Sequence, residues 1–241
     1  MTIMENNKVL GLIAARGGSS GIKDKNIIPV LGRPLIGYAC EAAKKSKCFD
    51  ELILSSDSEK IISVVKDYGV DVPFIRPDEL AKDDTLVVDV IHHALKWFEA
   101  HRETTFDYVC LIQPTAPLAL TEDYENAVQT AIENDADTVI AVYKCGQLHP
   151  SVMYTREDSG EVDWFPESLG WNQMARRQDL PPIYMRSGIV YVFKADQILH
   201  NRNLYGNRVF SIEVEEERGA VDINNEMDLK IAELFLSQMA K

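Results

Sequence analysis

Cysteine is scarce in this chain of 241 residues: only Cys40, Cys48, Cys110 and Cys145 are present, and no two form a CxxC pair. Reduced thiols acting as small buried hydrophobes are the expected state. The five histidines show neither HExxH nor another metal-ligand spacing, which argues against a zinc centre. No apolar run reaches the roughly 18 residues that a membrane span needs. Met1–Lys8 lacks the basic and apolar regions of a signal peptide, so a cytoplasmic protein is expected. An excess of positive charge is missing too. The net charge of −13 opposes broad contact with nucleic acid or an anionic membrane, and neither is expected as a partner. The GxGxxG dinucleotide loop and the Walker GxxxxGK[ST] loop are both absent, which weakens dehydrogenase and P-loop readings.

What is present suits one soluble α/β domain spanning 1–241 with an insertion: 46% apolar and 26% charged residues. The charge is uneven. Residues 1–48 carry eight Lys/Arg against three Asp/Glu, a balance of +5, which leaves −18 for the rest of the −13 total. A basic N-terminal segment on an acidic protein suits a local anion site.

Apolar periodicity predicts strands at Lys8–Ala15, Glu51–Ser55, Asp71–Ile75, Tyr108–Ile112 and Thr138–Val142. Between them it predicts helices at Pro34–Lys47, Ser58–Tyr68, Thr85–His101 and Thr121–Asn134, the last with Thr121 as N-cap. Strict alternation implies a doubly wound, mostly parallel sheet with helices on both faces, and ligands beyond the carboxyl ends of its strands. The alternation stops over 144–186, a stretch with Trp164, Phe165, Trp171 and Pro181-Pro182 that is too long for a plain connection. It reads as an inserted lobe whose aromatics suit a subunit interface. Strands are expected again at Gly188–Phe193 and Arg208–Val214, and a final helix at Glu226–Met239.

The segment with most chemistry is Ala15-Arg16-Gly17-Gly18-Ser19-Ser20-Gly21-Ile22-Lys23-Asp24-Lys25-Asn26. Glycines after a strand permit a sharp turn with backbone N–H groups aimed at one point. Arg16, Lys23 and Lys25 add the charge a triphosphate requires. The plain alternative is a glycine-rich turn with solvated lysines.

This segment resembles the signature A-R-x-x-S-K-G-x-x-x-K-N of the CMP-acylneuraminate synthetases, also called acylneuraminate cytidylyltransferases. Further stretches match in order: Arg76-Pro77-x-Glu79-Leu80-Ala81-x-Asp83, Gln113-Pro114-Thr115-Ala116-Pro117-Leu118, Arg177-Gln178-Asp179-Leu180-Pro181, Gly188-x-x-Tyr191 and Asp222-Ile223. The resemblance implies a Rossmann-like nucleotidyltransferase fold and the transfer of CMP from CTP to a sialic-acid-like sugar acid, with release of pyrophosphate. Related enzymes activate legionaminic, pseudaminic or deoxyoctulosonic acid and share parts of the pattern.

Carried onto this chain, the resemblance implies that Arg16, Lys25 and Asp222 are catalytic. Ala15, Arg16, Gly17, Gly18, Ser19, Lys25, Asn26 and Arg76 would hold the nucleotide, with Arg76 reading the cytosine. Gln113, Arg177, Arg186 and Tyr191 would contact the sugar. Asp222 and Asn224 would hold Mg²⁺. The 144–186 lobe would make a homodimer and bring Arg177 to the neighbour's sugar site. Taken alone, Arg76 reads as a surface residue before Pro77, Arg176-Arg177 as a solvated pair, and Tyr191 equally as core. The chain departs from the family pattern at Asn224, where a second Asp is usual, and at Ser20, where Lys is common and Lys23 could supply the charge. Ala119 and Ser187 replace a common Arg and Asn and bear on sugar recognition. A catalytically weak nucleotide-binding homologue and a glycosyltransferase remain as alternatives. The triphosphate-type loop opposes the second.

Overall fold

The computed structural model describes residues 7–18, 21–145, 149–165 and 176–239, and the backbone but not the side chain of Arg177. Its centre is a six-stranded sheet built from β1 (Val9–Ala14), β4 (Glu51–Ser55), β5 (Tyr108–Ile112), β6 (Thr138–Lys144), β9 (Tyr184–Lys194) and β10 (Val209–Glu213). The order across it is β10-β6-β9-β5-β1-β4. β4, β1 and β5 pair in parallel, as do β6 and β10, whereas β9 runs antiparallel to both β5 and β6. The sheet is therefore mostly parallel, with one reversed strand where the chain returns from the 144–186 stretch.

Both faces are covered, which is why the strands read as continuous apolar runs. Along β1 the pleat sends Val9 and Ile13 to one face and Leu10 and Leu12 to the other. The first face packs on α1 (Leu35–Lys45), α2 (Glu59–Asp67) and α4 (Thr121–Glu133) through Cys40, Ile61, Val65, Tyr124 and Val128. The second packs on α3 (Val87–Arg102) and α5 (Ala195–Asn201) through Ile91, Leu95, Phe98 and Ile198. A smaller cluster joins Ile22, Val30 and Leu35 to Val221, Ile223 and Leu236, the last from α7 (Glu226–Met239). That cluster holds the end of the glycine segment against residues 221–223, far away in sequence. A four-residue helix, α6 (Glu216–Gly219), precedes it.

Two local expectations are corrected. Asp71–Ile75 is not a strand: one isolated bridge joins Asp71 to Ile53, and Pro73, which has no N–H to give a ladder, stands two positions on. Thr121 is not the N-cap of α4. Its hydroxyl donates to the Ala42 carbonyl, while Asp123 turns back to accept the Leu120 N–H at 2.7 Å.

A hairpin of β2 (Pro29–Val30) and β3 (Arg33–Pro34) turns through Leu31 and Gly32, both at positive φ. Within 144–186, β7 (Met153–Arg156) and β8 (Val162–Phe165) form an antiparallel hairpin with Tyr154 edge-on to Trp164. Trp171 lies outside the described residues, as do Ser19 and Ser20. Cys40, Cys48 and Cys110 are buried, and burial pushes the Cys40 thiol up to about 12 and the Cys48 thiol to about 11, so neither is a ready nucleophile. No helix among the described residues is long and apolar enough to cross a membrane.

Candidate active site

The chain runs from β1 to β4 on one side and then crosses to β5 on the other side of β1. Loops leaving the carboxyl ends of β1 and β5 therefore part at this point and leave a crevice. A cleft of about 500 Å³ lies there, lined by Arg16, Gly18, Gly21, Lys25 and Asn26 from the loop after β1, and by Gln113, Pro114 and Thr115 from the loop after β5. Arg76, Leu80, Lys82 and Asp83 close one side, and Asn224 reaches it from the 221–225 segment.

The loop after β1 is fixed from below. Ala15 is buried and donates its N–H to the Ser55 carbonyl at 3.1 Å. Gly17 donates its N–H to Asp57 Oδ1 at 2.8 Å, and a Cβ on Gly17 would stand 2.9 Å from that of Ser58. Glycine is thus required there by the close approach of α2, and the Gly17 N–H is spent on Asp57 rather than aimed at a ligand. Asn26 is buried and donates to the Arg16 carbonyl at 3.0 Å, so it shapes the loop from within. A Cβ on Gly21 would overlap the Asn224 carbonyl, which places the end of this loop directly on the 221–225 segment.

Lys25 crosses the same junction, donating to the Ile223 carbonyl at 2.8 Å. Burial lowers its pKa most; Arg16 lowers it further, and Asp222 and Asp228 oppose the shift. Arg16 pairs with Asp83 at 2.5 Å. Arg76 is 5% exposed, with Nε on Ser55 Oγ at 3.0 Å and Nη2 on the Ser55 carbonyl at 2.6 Å. Burial depresses even this guanidinium to about 10, with Asp57 opposing and Arg16 adding to the effect. The reading of Arg76 as a surface residue is therefore excluded. Four cationic side chains, Arg16, Lys25, Arg76 and Lys82, thus line one cleft, an arrangement that binds a polyanion.

Asp222 and Asn224 lie side by side, the Asn224 amide donating to Asp222 Oδ2 at 3.2 Å. Asp228 accepts the N–H groups of Asn224 and Asn225 at 2.8 and 3.0 Å and holds this turn at the start of α7. Gly188 opens the space between Gln113 and Asp222: its Cβ would stand 3.4 Å from Gln113 Oε1 and 3.8 Å from Asp222 Cγ. Among the described residues no group of three or more His, Cys, Asp or Glu is placed to hold a metal. The Asn224 NH₂ faces Asp222 here; with the amide turned to present its oxygen, the pair would fit Mg²⁺, which takes few protein ligands and completes its shell with water and phosphate.

The remaining expected residues are elsewhere. Arg186 donates to Tyr205 Oη at 2.6 Å and stands 5.9 Å over the Tyr191 ring, which stacks on Phe193. Arg186 and Tyr191 lie on β9, where Tyr191 pairs with Leu111 of the cleft lining. Ser187 is buried with its hydroxyl on the Gly219 carbonyl, and Ala119 is in the core. Arg177 occupies a short 3₁₀ turn, Arg177–Asp179, and Ser19 falls outside the described residues. Sequence reasoning passed over Asp57, which sits in a Ser-Ser-Asp-Ser run with no mark of a reach to Gly17. It also gave no role to Asp83, Lys82 or Ser55.

Sheet order, crevice and cationic lining together define a Rossmann-like α/β fold with a polyanion cleft at the carboxyl ends of β1 and β5. In fold, the chain is similar to a CMP:2-keto-3-deoxy-manno-octonic acid synthetase complexed with CTP, with a TM-score of 0.71 at 15% identity over 96% of this chain and 99% of that one. The family model described as cytidylyltransferase matches residues 10–233, and the chain belongs to that family. It is 35% identical over 184 residues to a pseudaminic acid cytidylyltransferase of Campylobacter jejuni, covering 76% of this chain and 77% of the relative. It is 32% identical over 230 residues to a CMP-N,N'-diacetyllegionaminic acid synthase of the same species, covering 95% of each.

Proposed function

We propose that the protein joins CMP from CTP to a nine-carbon, sialic-acid-like sugar acid, of the pseudaminic or legionaminic kind. The observation that carries this is the convergence of Arg16, Lys25 and Arg76 on one crevice with the Asp222–Asn224 turn, in a chain of the cytidylyltransferase family. N-acetylneuraminate is the third candidate. The identities to relatives named for pseudaminic and legionaminic acids give those two sugars priority.

In this reading the triphosphate lies against Arg16 and Lys25. Arg76, fixed by Ser55, offers its remaining donors to the acceptor edge of cytosine. The anomeric hydroxyl of the sugar acid attacks the α-phosphorus. A phosphorus–oxygen bond forms to the sugar as the bond to pyrophosphate breaks, and the hydroxyl proton is released. Catalysis is by position and charge, without a covalent intermediate. Asp222 and Asn224 would hold Mg²⁺, which when bound offsets charge on the leaving phosphates. Gln113 and Gly188 frame the entry of the sugar, and Arg186 with Tyr191 contacts its far side. The exposed Tyr154 and Phe165 of the 144–186 stretch support a homodimer through that lobe, with Arg177 reaching the neighbouring site.

The test is kcat/KM with CTP for pseudaminic, legionaminic, N-acetylneuraminic and deoxyoctulosonic acids. Preference for one of the first two supports the reading. Preference for the eight-carbon deoxyoctulosonic acid removes the proposed substrate class.

A further inference from the structure

Between Arg76 and α3 the chain forms a strap over the cleft. Its shape is internal: Leu80 N–H bonds Pro77 O, Thr85 N–H bonds Lys82 O, and the Thr85 hydroxyl accepts the Lys82 N–H at 3.1 Å while reaching Glu79 O at 3.4 Å. The strap is anchored at its base by Arg76 N–H on the Ser56 carbonyl. Across the cleft it ends on the loop after β1 through one ion pair, Asp83 to Arg16 at 2.5 Å. The Asp83 side chain is 78% exposed and that of Arg16 30%. Both side chains line the cleft, so the carboxylate holds a cation that an anion entering the cleft would meet.

We propose that Asp83 is a gate on the anion site: it occupies Arg16 while the cleft is empty, holds the strap across the opening, and gives way when a polyphosphate takes Arg16. An exposed pair of this kind is weak and is screened by salt, as a gate must be if substrate is to open it. A polyphosphate brings several charges to Arg16 and Lys25 together and so outcompetes one carboxylate. Asp84 is the matched control, since it carries the same charge one residue away and makes no ion pair among the described residues. This proposal rests on the reading above only for the identity of the anion.

The test uses the full chain and inorganic tripolyphosphate without metal, measured by calorimetry at low salt. Asp83→Asn is expected to tighten binding by about two- to fivefold, the range set by an exposed ion pair. Asp84→Asn should change it by much less. Amide hydrogen exchange over 78–86 in the empty protein should quicken in Asp83→Asn and not in Asp84→Asn. Weaker or unchanged binding in Asp83→Asn, an equal effect of the two substitutions, or unaltered exchange in the strap overturns the gate. Tripolyphosphate keeps this separate from the nucleotide reading. A wild type that binds tripolyphosphate but not CTP contradicts that reading and leaves the gate standing.

Discussion

The Lys25 ammonium donates to the Ile223 carbonyl at 2.8 Å, joining parts of the chain 198 positions apart. This bond draws the loop after β1 onto the segment that carries Asp222 and Asn224, so the anion-binding and carboxylate parts of the site are built as one unit. It also explains the local electrostatics. Lys25 is half-buried beside Arg16, and both burial and that neighbour favour its neutral form.

A pH dependence follows. Because the Lys25 pKa lies below its ordinary 10.5, the charge proposed to meet a triphosphate is lost at lower pH than for a free lysine. CTP binding should weaken as pH rises through that lowered value. Lys25→Arg keeps its charge and should move the alkaline limb of kcat/KM upward, whatever it costs in rate. A profile of the two proteins between pH 7 and about 10.5 checks this.

Arg76 contributes to both fold and site. Arg76→Ala removes two charge-assisted bonds to Ser55 at a position 5% exposed. A loss of about 2 kcal/mol in urea unfolding is expected, together with weaker nucleotide binding. Arg76→Lys cannot keep both bonds and should recover only part of each.

Two glycines separate the two substrates. Gly21→Ala would drive a methyl into the Asn224 carbonyl and displace the loop, so CTP affinity should fall. Gly188→Ala meets Gln113 and Asp222 at ordinary contact distances. The fold and CTP affinity should persist there, while KM for the sugar acid rises. Calorimetry with CTP and steady-state kinetics with the sugar distinguish the cases.

Asn224→Asp places a second carboxylate beside Asp222, where an amide now donates at 3.2 Å. The Mg²⁺ concentration for half-maximal rate should drop severalfold, because two carboxylates hold a hard cation better than one. A magnesium titration of the rate reads this directly.

Much of the fold was legible because its strands and helices are long and strongly patterned. Glu51–Ser55 and Glu226–Met239 fall at their expected bounds. Pairing of short segments was not legible. The β2–β3 turn puts Leu31 at φ 48, a residue whose type gives no sign of a left-handed conformation. In the site, the cationic residues were visible because phosphate chemistry requires them. The partners that set their geometry were hidden: Asp57 reaches Gly17 over 40 positions, and Asp83 reaches Arg16 from a different loop. Arg186 was expected at the sugar, but its bond to Tyr205 could not be foreseen, since that contact depends on how the chain returns after α5.

The most direct measurement is pyrophosphate release from CTP and Mg²⁺ on adding a sialic-acid-like sugar acid, with Asp222→Ala assayed beside the wild type. Release that requires the sugar, yields the CMP-sugar in equal amount and is lost in Asp222→Ala is the expected result. Binding of CTP without release for any acid of the panel would contradict the proposed reaction and leave a nucleotide-binding homologue in its place.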